Sequence, residues 1–371
     1  VKSLRVGLFS ECYRPIQNGI VASIDSLAHA LRARGNAAIV VTPQMPHYDD
    51  HDGDVVRVRS FPLPTPTAYR LTLPMLPRKL GALSIVHTHS PFVTGWLGRH
   101  AARRAGVPLV FTYHTQLDAY AHYVPFDSRA TRTAATQLTR TYANSADAVV
   151  VPTAAMERRL RDLGVRSRIA VVPSGIDVAA FARGERSQAL RASLGVAGDD
   201  KMVLCVGRLG REKNLELAIE AFARLSDVRT RLVAVGDGPH RAALERFAAR
   251  AGVAERVTFA GELPRDRLPN VYASADAFVF PSRTDTQGLV LVEALAAGLP
   301  IVAVDTPQTR DVVADAARIV PDDAAALAAS LREALGTPRA QSAPGSARVV
   351  AAFDRATSGD RILELYETLL A

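Results

Sequence analysis

Short, uninterrupted apolar runs recur along the chain. Each ends in a polar, often glycine-bearing loop, and most are followed by apolar positions at helical spacing. In the first half the runs are Leu4–Phe9, Ala38–Val41, Ile85–Thr88, Leu109–Tyr113, Ala148–Val151 and Ile169–Val172. Between the first two, Ile20, Val21, Ile24, Leu27, Ala28 and Leu31 form one apolar helical stripe, and Gly35 supplies the stop. Runs without polar alternation are what strands buried on both faces require, and strand–helix repetition implies a mainly parallel sheet. The first series closes at Val172-Pro-Ser-Gly-Ile-Asp177, and a charged, alanine-rich segment to about Lys201 reads as a connector.

A second series follows: Met202–Val206, Arg231–Val235, Val257–Phe259, Ala277–Phe280 and Ile301–Ala303 as strands. Helical stretches are expected at Leu215–Leu225, Arg241–Arg250 and Leu289–Ala297. Residues 337–348, rich in Pro, Gly, Ser and Ala, read as a loop before a last helix at about Gly359–Leu370. The expected organisation is an N-terminal α/β domain over 1–177, a second over 178–350, and a C-terminal helix in 351–371 that could pack on either domain, a return to the first being one option. Two such domains imply a cleft, with ligands beyond the C-terminal ends of the strands.

Length supports two cores, since 371 residues exceed what one usually organises. With 48% apolar and 22% charged residues the chain is globular. No stretch approaches 18 consecutive apolar residues and a strand opens the sequence, so a spanning segment and secretion are not expected. Cys12 and Cys205 stand far apart and give no disulfide framework, which favours a reduced, cytoplasmic setting. The net charge of +8 is lopsided: 21 Lys/Arg face 12 Asp/Glu through residue 180, and 24 face 25 beyond it. That field suits an anionic membrane surface or a phosphorylated ligand. Nucleic acid is not expected, because no aromatic series interleaves the basic residues as a stacking groove would need.

The most informative segment runs Pro281-Ser-Arg-Thr-Asp285-Thr-Gln-Gly288-Leu-Val-Leu-Val-Glu293. A strand ends in a polar turn, an acid precedes a glycine, and a helix opens there with its first N–H groups unpaired, ready for an anion. Glu293 lies within that helix, eight residues beyond Asp285. An ordinary strand–turn–helix with a solvated acid is the plain alternative. Gly207-Arg208-Leu-Gly-Arg-Glu-Lys213-Asn214 follows the first strand of the second series, placing two cations where a phosphate-bearing ligand would need them, with Asn214 as a helix cap. Gly236-Asp-Gly238-Pro ends the next strand; either glycine would allow close approach of a ligand, or the pair makes a tight turn. In the first half, Glu11–Gly19 contains Asn18-Gly19 but no Gly-x-Gly-x-x-Gly fingerprint, which removes the best sign of a nicotinamide dehydrogenase. His87, His89 and His114 end neighbouring strands. They lack a partnering Cys/Asp set with metal spacing, so His114 reads as a hydrogen-bonding or proton-shuttling group and no metal is expected.

Taken together these motifs resemble the retaining glycosyltransferases of family 4, which have the GT-B architecture: two Rossmann-like domains facing each other across a cleft. The resemblance spans Asn18-Gly19, His87-Thr-His89-Ser-Pro91, His114, Val172–Asp177, Gly207-Arg208, Lys213-Asn214, Gly236–Pro239 and Pro281–Glu293. It implies that Arg208 and Lys213 hold the donor diphosphate and that the backbone at Gly288, Leu289 and Val290 receives its oxygens. Glu293 would bind the ribose, Asp285 the transferred sugar, and His114 would line the pocket near sugar and acceptor. Gly19 would let the first-domain loop meet the phosphates, and Gly236 and Gly238 would complete the donor site. The chain departs from the family at Asp285, where glutamate is usual. The resemblance also implies front-face departure of the nucleoside diphosphate, with its phosphate taking the acceptor proton and no metal needed for chemistry.

Thr284-Asp-Thr-Gln-Gly-Leu289 is similar to the Thr-Glu-Thr-Gln-Gly-Leu of enzymes that glucosylate diacylglycerol. The expectation is therefore a UDP-glucose donor, a lipid acceptor and peripheral attachment to the inner face of an anionic membrane. Residues 61–82 and Arg99, Arg103 and Arg104 mix apolar and basic side chains in a way that suits such a surface, a covered surface loop over 61–82 being the plain alternative. A mannosyltransferase using GDP-mannose and a phosphoinositide or other acceptor is the nearest alternative. A nucleotide-sugar epimerase and a catalytically silent sugar-nucleotide-binding protein stand further off.

Overall fold

The computed structural model describes residues 3–50, 53–62, 69–77, 80–123, 129–337 and 346–371. The prolines at 64 and 66, Arg78 and Lys79, and most of the expected loop at 337–348 fall outside them. The chain divides into two compact units, one of Val1–Gly175 with Arg355–Ala371 and one of Ile176–Asp354.

In the first unit, seven parallel strands form one sheet. β1 (Arg5–Phe9), β2 (Ala37–Pro43) and β3 (Val55–Val58) occupy one half. A separate two-stranded antiparallel sheet is formed by β4 (Ser60–Pro62) and β5 (Arg70–Thr72). β6 (Ile85–Thr88), β7 (Leu109–Thr112), β8 (Ala148–Val151) and β9 (Arg168–Val171) complete the sheet in the order β3-β2-β1-β6-β7-β8-β9. The order reverses between β1 and β6, where Leu8 pairs with His87 and Phe9 with Thr88. Helices α1 (Gly19–Ala33), α2 (Val93–Ala105), α3 (Arg129–Ala143) and α4 (Ala154–Asp162) surround the sheet. One apolar cluster gathers Phe9, Val86, Phe111 and Tyr142; another gathers Leu8, Ile24, Leu31, Ile85 and Tyr366. The alternate residues of each strand divide between these clusters, which is why the runs lack polar positions.

The second unit opens with α5 (Val178–Ala182) and α6 (Gln188–Ser193), in the segment expected to be a connector. That expectation is corrected by its packing: Phe181, Leu194 and Val196 are buried in the core. The fully buried Arg191 donates to Ser274 O at 2.6 Å and to Asp276 Oδ2 at 3.3 Å. Six parallel strands follow: β10 (Lys201–Val206), β11 (Thr230–Val235), β12 (Val257–Gly261), β13 (Ala277–Phe280), β14 (Ile301–Val304) and β15 (Arg318–Val320), ordered β12-β11-β10-β13-β14-β15. Here the order reverses between β10 and β13. Helices α7 (Leu215–Ala223), α8 (Arg241–Arg250), α9 (Leu268–Ser274), α10 (Leu289–Ala296), α11 (Pro307–Val313), α12 (Ala324–Gly336) and α13 (Ser346–Ala352) complete the unit. The last helix, α14 (Arg355–Leu370), belongs to the first unit, where Ile362, Leu365 and Tyr366 join the core beside α1. Among the described residues no helix is long and apolar enough to cross a membrane.

Candidate active site

In open parallel sheets a crevice forms where strand order reverses, because the loops after the two adjacent strands leave in opposite directions. In the second unit those are the loops after β10 and β13, which carry Gly207–Asn214 and Pro281–Gly288. Adjacency of β10 and β13 brings together residues 72 apart in sequence: Lys213 Nζ donates to Asp285 Oδ1 at 2.5 Å. Both side chains are about four-fifths buried, at 20% exposure. Asp285 Oδ2 is shut off from solvent and makes no hydrogen bond. Arg208 is exposed on the same loop as Lys213.

Gly288 stands immediately before α10 with φ +70, a conformation that L side chains rarely adopt. A Cβ there would lie 2.9 Å from Phe280 Cζ, so packing and backbone both require glycine. The turn aims α10 so that its first internal bond is Leu291 N–H to Gly288 O, at 2.9 Å. The N–H groups of Leu289 and Val290 precede that bond, at the positively polarised end of the helix.

The helix behind them is almost entirely apolar, and Glu293 is the single charged residue in it. Glu293 is 2% exposed and fully engaged. Arg265 donates to Oε1 at 3.0 Å and the Tyr272 hydroxyl to Oε2 at 2.7 Å. Sequence reasoning missed both partners. The available signal was thermodynamic: a carboxylate buried in an apolar helix must be paired.

The glycines of the β11 loop have a structural explanation. Gly236 has φ +129, and a Cβ on it would sit 2.1 Å from Gly207 O; one on Gly238 would sit 2.5 Å from Leu209 O. Leu209 N–H bonds Asp237 O and His240 N–H bonds Leu209 O, both at 2.9 Å, so the β10 and β11 loops are zipped backbone to backbone. Asn214 departs from the expected cap. It occupies the cap position of α7 with φ 56, yet its side chain donates to Pro281 O at 3.1 Å and to Asp322 Oδ1 at 3.3 Å. It ties the β10 loop to the β13 loop instead of capping.

In the first unit the loops at the reversal follow β1 and β6. Gly19 is the first residue of α1, whose cap is Asn18, with Oδ1 accepting from Val21 N–H at 2.9 Å. The three histidines come together in a row. His87 and His89 stack with centroids 4.7 Å apart, and His89 and His114 at 5.2 Å. His89 Nδ1 and His114 Nε2 are 2.9 Å apart, while His87 bonds the Tyr366 hydroxyl and Thr112 Oγ1, each at 2.6 Å. Burial disfavours their imidazolium forms, lowering His87 to about 3, His114 to about 4 and His89 well below its ordinary value. Of the three rings only His89 and His114 are joined by a hydrogen bond, which needs one nitrogen to donate and the other to accept; two imidazolium rings could not make it. Among the described residues no group of three or more His, Cys, Asp or Glu is arranged to hold a metal ion. Glu11, missed as a functional candidate, accepts the Thr94 N–H at 2.9 Å and the Thr72 hydroxyl at 3.2 Å. Its carboxyl is raised by burial, and it supplies the cap that Phe92 does not give α2.

Two Rossmann-like α/β halves, each with its loops gathered at a strand-order reversal, define the GT-B class. Residues 17–180 match the family described as Glycosyltransferase Family 4, and residues 186–347 match the one described as Glycosyl transferases group 1. The chain belongs to glycosyltransferase family 4. It is 31% identical to the alpha-monoglucosyldiacylglycerol synthase of Streptococcus pneumoniae, over 84% of this chain and 74% of that protein. It is 34% identical to the GDP-mannose-dependent alpha-mannosyltransferase of Mycobacterium tuberculosis, over 84% of this chain and 81% of that one. Among solved structures, sucrose-phosphate synthase from Thermosynechococcus elongatus superposes with a TM-score of 0.79 at 24% identity, covering 99% of both chains. HepE of Anabaena, solved with UDP and glucose, gives 0.76 at 19% identity, covering 99% of this chain and all of that one. Membership sets aside the epimerase: the chain is a glycosyltransferase by family.

Proposed function

We propose that the protein transfers glucose from UDP-glucose to diacylglycerol, with retention of anomeric configuration, at an anionic membrane surface. The observation that carries this reading is the loop pair at the β10/β13 reversal. There Lys213 pairs with Asp285 across the two loops, Arg208 is exposed on the first of them, and the second leads into the first turn of α10. Arg208 and Lys213 stabilise the leaving diphosphate, and the N–H groups at Leu289 and Val290 receive its oxygens. Asp285 contacts the transferred sugar and Glu293 the ribose. Gly236 and Gly238 hold the neighbouring loop close. In the first unit, His114 and the Gly19 turn are assigned to substrate contacts.

In the reaction the bond from the anomeric carbon to the β-phosphate oxygen breaks. The acceptor hydroxyl oxygen bonds that carbon on the same face and passes its proton to the departing phosphate. Charge grows on the phosphate as the bond opens, so fixed cations act on the transition state more than on the bound donor. No step is assigned to a metal.

Glucose and diacylglycerol are supported by the Thr284–Leu289 sequence and by similarity to an alpha-monoglucosyldiacylglycerol synthase. The first unit adds a surface of the right character. Phe61, Leu71 and Met75 are half or more exposed, and a groove of about 550 Å³ is lined by Arg59, Pro74, Met75, Leu76, His100 and Arg104. Apolar side chains beside arginines complement an anionic bilayer. A second reading, mannosyl transfer from GDP-mannose, is supported by the 34% identity to the mannosyltransferase. Calorimetric titration with UDP and GDP, followed by NMR of the anomeric proton of the product, separates the two. The first reading requires UDP to bind more tightly and the product to be an α-glucoside; tighter GDP binding with a mannosyl product replaces it with the second.

A further inference from the structure

The surroundings of Glu293 are more specific than burial alone requires. One short stretch of chain, residues 265–272, supplies both of its partners: Arg265, in the turn after β12, reaches Oε1, and Tyr272, on α9, reaches Oε2. The two differ in kind. Tyr272 is fully buried, edge-on to Phe181 at 5.4 Å and tilted on Phe278 at 5.6 Å, so its hydroxyl has no freedom to leave. Arg265 is a surface side chain, 47% exposed, whose guanidinium can regain water if it releases Oε1. A carboxylate with one fixed and one releasable donor is arranged to exchange the second for an incoming hydroxyl, while keeping its rotamer throughout.

We propose that Tyr272 is a positioning residue that holds the Glu293 carboxylate for the ribose of the nucleoside diphosphate, and that Arg265 is the partner the ribose diol displaces. The inference rests on the reading of Glu293 as the ribose ligand. Each ribose hydroxyl that replaces the Arg265 N–H donates to Oε1, so the carboxylate is never left unpaired. Exchange leaves the Tyr272 bond intact, and the unliganded site is kept shut by its own arginine.

The test compares UDP with its 2′-deoxy and 3′-deoxy analogues, or the guanosine series if GDP is what wild-type protein binds. A hydrogen bond to a charged group is worth about 1.5–3 kcal/mol, so wild-type protein should favour UDP over at least one analogue by about tenfold or more. Tyr272→Phe should weaken UDP and compress that preference to about threefold or less, raising KM for the donor while kcat at saturation changes little. Arg265→Ala removes the competitor, so UDP should bind as tightly as in wild type or several-fold more tightly, with the preference retained or widened. Unchanged preference in Tyr272→Phe overturns the positioning role. Equal weakening of UDP and both analogues in Arg265→Ala overturns the exchange, and that surface variant decides the matter if Tyr272→Phe does not fold. Lack of discrimination by wild-type protein instead removes the ribose assignment of Glu293, an outcome read before any variant is made.

Discussion

Lys213 is the residue whose removal is most informative, because its observed pairing and its proposed catalytic role are separable. It neutralises Asp285 across 2.5 Å with both side chains at 20% exposure, and it is assigned to the leaving diphosphate. At an effective dielectric near 20, unit charges about 4 Å apart attract by about 4 kcal/mol, much of it offset by desolvation. Removing one partner of a buried pair costs about 3–5 kcal/mol; the residual exposure here brings the expectation down to about 2 kcal/mol. For a unit of this size that lowers Tm by about 4–8 °C. Asp285→Asn added to Lys213→Ala removes the orphaned charge, so the double variant should regain at least half of that loss. Activity should behave differently. A fixed donor to a developing anion is worth about 10²–10³ in kcat, and removing the acid cannot restore it. Thermal melts and initial rates at saturating donor, measured on the same preparations, read both quantities. Stability and rate recovering together in the double variant would refute the reasoning, and so would a kcat in Lys213→Ala within about fivefold of wild type.

Three further outcomes are expected. Gly236→Ala drives a Cβ to 2.1 Å from Gly207 O at a φ of +129, so the β10 and β11 loops must part; we expect a loss of stability of more than about 2 kcal/mol in denaturant titration, and a near-neutral result would contradict the zipped-loop account. The row of histidines should make the first unit acid-sensitive. Their folded values lie below the unfolded value near 6.5, so between pH 6.5 and about 4 the unfolded chain binds more protons and stability falls as pH drops, by up to about 1.4 kcal/mol per pH unit for each ring. Melts from pH 7 to 5 should show this slope, lessened in His89→Asn; a flat profile would sink it. Arg59→Glu with Arg104→Glu should weaken sedimentation with anionic vesicles about fivefold or more while leaving UDP affinity unchanged, and undiminished vesicle binding would remove that groove from the membrane account.

Much of the fold was legible because the central strands are buried on both faces and leave unbroken apolar runs in the sequence. The strands β3, β4, β5 and β15 escaped notice for the opposite reason: they are three or four residues long, and most of their positions are only partly buried. The segment holding α5 and α6 read as a connector because its composition is charged, yet Arg191 is charged and wholly buried, its cost met by Asp276 and backbone carbonyls. At the site, Gly288 was visible as a helix-opening glycine, and Lys213 and Asp285 as loop residues after strands. Their direct pairing was not visible, since it depends on β10 and β13 being neighbours. Asn214 shows the limit of a local rule: a residue suited to capping instead donates its side chain to Pro281 O in the loop after β13 and to Asp322 in the loop after β15.

The most direct measurement is transfer of labelled glucose from UDP-glucose into an organic-extractable product, by the full chain with diacylglycerol in anionic vesicles. The account predicts a glycolipid that needs both UDP-glucose and diacylglycerol, and is lost in Lys213→Ala. Label that enters no lipid with UDP-glucose, but enters one with GDP-mannose, would contradict it.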